Sequence, residues 1–85
     1  MDREQIENSL NNLESLQQAY NKVFDSVEGR RVLEDLERVT LLNTTTFNSD
    51  ALIMAFQEGG RAVMLHINSM RKMNIKLMKE VQDDG

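Results

Sequence analysis

Between Ala51 and Val81 the chain keeps helical apolar spacing without a proline, yet carries paired glycines, Gly59-Gly60, near its middle. None of the 85 residues is proline, so the commonest helix breaker is missing throughout. Glycine inside a helix costs roughly 1 kcal/mol relative to alanine. Two in succession therefore imply either the close approach of another backbone or a bend. Either way, the pattern predicts an all-α chain: a three-helix arrangement with a long C-terminal helix, in one small domain spanning residues 1–85.

The first helix is expected over about residues 2–24. Ile6, Leu10, Leu13, Leu16, Tyr20, Val23 and Phe24 fall on one side at 3.6 residues per turn, opposite Asn, Gln, Ser and charge. Asp25-Ser26-Val27-Glu28 matches a capping box and starts a second helix over about 26–39. Its apolar face is Val32, Leu33, Leu36 and Val39, with Gly29 on the same side. Leu41-Leu42 is expected to close that helix against the core. Asn43 to Ser49 reads as a loop, because its polar side chains bond their own backbone, and Phe47 within it reads as a core anchor. Asn48 or Ser49 then caps a third helix over about 50–81, with Asp50 at the positive end of its dipole.

Leu52, Phe56, Gly59, Val63, Ile67, Met70, Leu77 and Val81 form the main stripe of that helix, interrupted by Asn74. Ile53, Gly60, Met64, Ile75 and Met78 form a second apolar edge beside it, wider than two short helices can cover. Methionine adapts to irregular contacts, so this edge is the candidate partner-binding surface. Arg61, Lys72, Lys76 and Lys79 lie nearly opposite and form a basic face.

The rest of the composition excludes more than it identifies. Without cysteine there are no disulfides or thiolate metal sites, and the single histidine, His66, builds no metal centre alone. No cofactor is expected. The polar start, Met1 to Gln5, lacks a secretory h-region, and no apolar run approaches the ~20 residues of a membrane span. A soluble, cytoplasmic protein is expected. Residues 1–42 carry nine acids and five bases, whereas Arg61 to Lys79 holds five bases and no acid. Phosphate contact through the basic face is therefore the alternative function, although aromatics are not interleaved with it. No nucleophile–base arrangement can be assembled, so no enzyme activity is expected.

Two elements repeat a theme: Glu28-Gly29-Arg30-Arg31 and Glu58-Gly59-Gly60-Arg61. They read either as one charged contact surface or as close helix packing with a solvated rim. The pattern is not a phosphate loop, since no lysine–hydroxyl pair or preceding strand accompanies it.

The run Val23-Phe24-Asp25-Ser26-Val27-Glu28-Gly29-Arg30-Arg31-Val32-Leu33-Glu34-Asp35-Leu36 precedes Phe47, Asp50 and Glu58-Gly59-Gly60-Arg61. In that order these residues resemble a family of small tailed-bacteriophage proteins encoded among head and tail morphogenesis genes, over about Tyr20 to Met70. The resemblance implies a small helical virion or assembly component without enzymatic activity. It would reside in the virion, and in the host cytoplasm during assembly. Its implied partners are other phage structural proteins (portal, head–tail connector, tail or internal proteins) and further copies of itself.

Overall fold

A computed structural model of the chain describes residues 2–40 and 50–84. Helix α1 (Arg3–Phe24) opens with a reciprocal capping box. The Asp2 carboxylate accepts from the Gln5 backbone N–H at 2.8 Å, and the Asp2 N–H donates to Gln5 Oε1 at 3.1 Å. Two donors that have no partner within the helix are thereby satisfied.

The junction to helix α2 (Val27–Val39) turns on one hydroxyl. Ser26 Oγ donates to the Val23 carbonyl at 2.8 Å and accepts from the Gly29 N–H at 2.9 Å. It closes one helix and opens the next. The capping box expected from Asp25 is displaced by one residue. Asp25 keeps helical dihedrals (φ −84°, ψ −11°) and ends α1, whereas Ser26 takes the extended conformation (φ −68°, ψ 160°) that an N-cap needs.

Leu41-Leu42, Phe47 and the expected 43–49 loop lie outside the described residues, as do the candidate caps Asn48 and Ser49. The cap of helix α3 (Ala51–Lys72) is Asp50 itself. Its carboxylate accepts from the N–H groups of Leu52 at 2.9 Å and Ile53 at 3.3 Å. Helix α3 then runs unbroken through Gly59-Gly60, so the glycines do not interrupt it.

The break comes later. Met73 is extended (φ −58°, ψ 132°), and helix α4 (Ile75–Asp84) starts anew. Asn74, which interrupted the apolar stripe, is the cap: its Oδ1 accepts from the Leu77 N–H at 3.0 Å. From α1, Gln17 Nε2 donates to the carbonyls of Met70 at 2.9 Å and Met73 at 2.7 Å. The described residues thus form four helices without strands, in place of the expected three with one long C-terminal rod.

Helix α1 is the hub. Helices α2, α3 and α4 each pack against it far more than against one another. Such an arrangement spreads rather than closes: the Cα extents are 48 × 33 × 16 Å, and the radius of gyration is 16.7 Å. A compact chain of this length would have about 12 Å. The buried apolar core among the described residues is only Leu33, Met64, Met70 and Ile75.

Candidate functional site

The burial pattern of α3 reverses the expected order of its two apolar faces. Met64 is 1% exposed and Ile75, on α4, is buried with it. Gly60 is half-buried, and a Cβ placed on it would lie 3.5 Å from Thr40 Cγ2. The edge Ile53–Gly60–Met64–Ile75–Met78 is therefore the inner side of the molecule over much of its length. Only Ile53 and Met78 remain exposed there. The end of α2 meets α3 on this edge, where Thr40 lies against Gly60, and Met64 follows on the same side one turn later.

The supposed main stripe faces out instead over its first half. Leu52 and Phe56 are each 83% exposed, and Val63 is 59% exposed. Farther along, Ile67 becomes half-buried and Met70 buried as α1 approaches. Leu77 and Val81 on α4 are exposed again. Gly59 lies within the outward stripe, and a Cβ added to it would meet nothing within 4 Å.

The two glycine–arginine elements do not converge. Gly29 is buried at the α1–α2 elbow, where an added Cβ would fall 1.8 Å from the Val23 carbonyl oxygen. Gly60 instead touches Thr40, at the other end of α2. Eleven residues of helix, roughly 16 Å at 1.5 Å per residue, separate the two sites. Arg30 and Arg31 are exposed on α2, Glu58 is exposed on α3, and Arg61 is half-buried. Gly29 thus serves close packing, and no joint charged surface is formed.

The basic face is also dispersed. Arg61 and Lys72 belong to α3, Lys76 and Lys79 to α4, with the Met73-Asn74 break between them. Lys79 Nζ donates to Glu14 Oε2 of α1 at 2.8 Å. Lys72 and Lys76 are exposed.

Reasoning from the sequence missed a polar seam that ties α1 to the end of α3. Arg71 donates to Asn21 Oδ1 at 3.2 Å and pairs with the Asp25 carboxylate, with its guanidinium carbon 5.9 Å from the centre of the Phe24 ring. Beside it, Tyr20 meets His66 edge-on at 6.2 Å between ring centroids. Gln17 belongs to the same seam. One signal for it was present: Gln17 sits four residues after Leu13 and three before Tyr20, on the apolar side of α1.

Among the described residues, no group of three or more His, Cys, Asp or Glu side chains is placed to hold a metal ion. No helix among them is long and apolar enough to cross a membrane. Grooves between helices are lined by mixed side chains, as between α1 and α4, where Glu7, Leu10, Asn11, Lys79 and Gln82 meet. The extended feature that remains is the uncovered apolar side of the helices.

No curated protein and no solved structure matches the chain. A family model, that of the Bbp19-like phage proteins, matches residues 20–79, from the last turn of α1 into α4. With that match spanning well over half its length, the chain belongs to the Bbp19-like phage protein family.

Proposed function

We propose that this chain is a non-enzymatic component of the phage virion or of its assembly, acting through helix-mediated protein–protein contacts. One observation carries the reading: among the described residues, thirteen large hydrophobic side chains stand exposed around a buried core of four. Single exposed apolar residues are ordinary, but stripes of them along helices mark contact surfaces. A protein whose work is assembly has reason to keep such surfaces open until its neighbours arrive. The partners proposed are phage structural proteins of the portal, head–tail connector, tail or interior. The places of action are then the virion and, during assembly, the host cytoplasm.

The alternative of a nucleic-acid-associated regulator requires Arg61, Lys72, Lys76 and Lys79 to act together. Dispersal over two helices and the Glu14–Lys79 pair weaken it. Quantitative mass spectrometry of purified particles of the parent phage tests the proposal. A fixed copy number relative to portal and capsid proteins is expected for a virion component. For an assembly factor, the protein is expected on immature particles and not on finished ones. Absence from both overturns the proposal.

A further inference from the structure

The outward face of α3 has a pattern that the fold of one chain leaves unexplained. Leu52, Ala55, Phe56, Gly59, Ala62 and Val63 occupy a strip about 120° wide at 100° per residue, and all six are exposed. No charged side chain falls within that strip between Leu52 and Val63. Gly59 lies in the middle. Gly29 has a backbone neighbour that requires it and Gly60 lies against Thr40, whereas a Cβ added at Gly59 would meet nothing within 4 Å among the described residues. Glycine at an exposed helix position lowers stability, and no contact among the described residues compensates.

Inversion about Gly59 supplies the missing reason. Three residues before it stands Phe56 and three after it Ala62; four before stands Ala55 and four after it Val63. When the same helix is laid antiparallel across itself at Gly59, the two-fold sets like sides together: Phe56 lies against Val63 of the other copy on one side of the axis, and Ala55 against Ala62 on the other. An apolar ridge thus packs on itself beside a close alanine contact. Gly59 meets Gly59, which lets the axes approach toward the near end of the usual 8–10 Å helix spacing. Self-matching under a two-fold rotation is the requirement of a symmetric dimer interface. The strip itself carries no charge, so the crossing buries none at its centre.

Area points the same way. The chain exposes 6600 Å², against about 5200 Å² expected for a compact monomer of its mass. The excess, roughly 1400 Å², is spread over the whole open plate; the ~800 Å² that each partner buries in an interface of standard size is well within it.

We infer that the chain forms a two-fold symmetric dimer through antiparallel crossing of α3 at Gly59. The inference gives the proposed assembly role its first partner, a second copy, and rests on that reading only for its biological purpose. Purified full-length protein tests it without the phage, so the outcome is independent of particle composition.

Sedimentation equilibrium is expected to show a dimer at micromolar concentration. The Gly59→Lys variant, whose side chain has open space in the monomer, is expected to keep its helicity and to weaken dimerisation at least tenfold. A natural absence of cysteine permits a second test of geometry. Ala55→Cys and Ala62→Cys proteins are expected to cross-link efficiently when mixed and poorly when alone, since a disulfide needs Cα atoms within about 7 Å. Wild-type protein that stays monomeric at hundreds of micromolar overturns the inference. So does Gly59→Lys dimerising with unchanged affinity, or Ala55→Cys cross-linking to itself as well as to Ala62→Cys.

Discussion

Three glycines of this chain illustrate three different uses of a missing side chain. At Gly29 the constraint is absolute, because a methyl group would overlap the Val23 carbonyl oxygen. The α1–α2 elbow must open to admit it, breaking the Ser26 bridge that holds both helix ends. Gly29→Ala is therefore expected to destabilise the protein by about 2 kcal/mol or more despite alanine's better helix propensity. Urea denaturation followed by circular dichroism measures it. Gly60 is more lenient, since an added Cβ would reach ordinary van der Waals distance from Thr40. Met64 gives the opposite test: as the one large side chain among the described residues that is essentially sealed from water, its change to alanine should cost about 2–5 kcal/mol. A shift in urea midpoint of less than about 1 kcal/mol equivalent would show that the small core relaxes around the hole.

At the scale of elements, the ends of helices were more readable than the faces they bury. The start of α1 and the extents of α1 and α2 follow from apolar spacing and polar caps within a few residues of each end. The Met73-Asn74 break was not readable, because neither residue is a strong breaker and the apolar spacing resumes beyond it. What stabilises the break is Gln17, more than fifty residues earlier, which accepts the role of partner to the Met70 and Met73 carbonyls. Asn74→Ala removes the α4 cap and is expected to cost about 1 kcal/mol. Gln17→Leu leaves two carbonyls without their donor and should cost about 1–3 kcal/mol. If the clamp sets the bend, spin labels at residues 56 and 81 will report a longer and broader distance distribution in Gln17→Leu. An unchanged distribution would assign the bend to Asn74 alone. The choice of inner face was likewise hidden. Hydrophobicity ranks Leu52 and Phe56 as core, but α2 meets α3 on the edge where Thr40 lies against Gly60, and Met64 is buried in their place.

The whole molecule is a plate about two helices thick, held along its length by α1. Its interior is correspondingly slight, and polar seams do much of the locating: Gln17 to the break, Asn21 and Asp25 to Arg71, Glu14 to Lys79. Exposed ion pairs of this kind contribute only about 0–1 kcal/mol each, so they fix geometry more than they add stability. The family match begins at Tyr20 and so excludes most of the helix that organises the plate. Deleting residues 2–19 is expected to abolish cooperative thermal unfolding, because it removes Glu14 and Gln17, which hold α4 and the end of α3. A sharp calorimetric transition in that shortened protein would show that the matched segment folds by itself.

A hub at the N-terminus also has a temporal consequence. On the ribosome α1 emerges before all three of the helices it must hold. Its bonds to Met70, Met73 and Lys79 span more than fifty residues of chain. Such distant closures are slow relative to local helix formation. The α1–α2 contact is thus available to the growing chain well before the other two, and the plate is complete only once α4 has joined it.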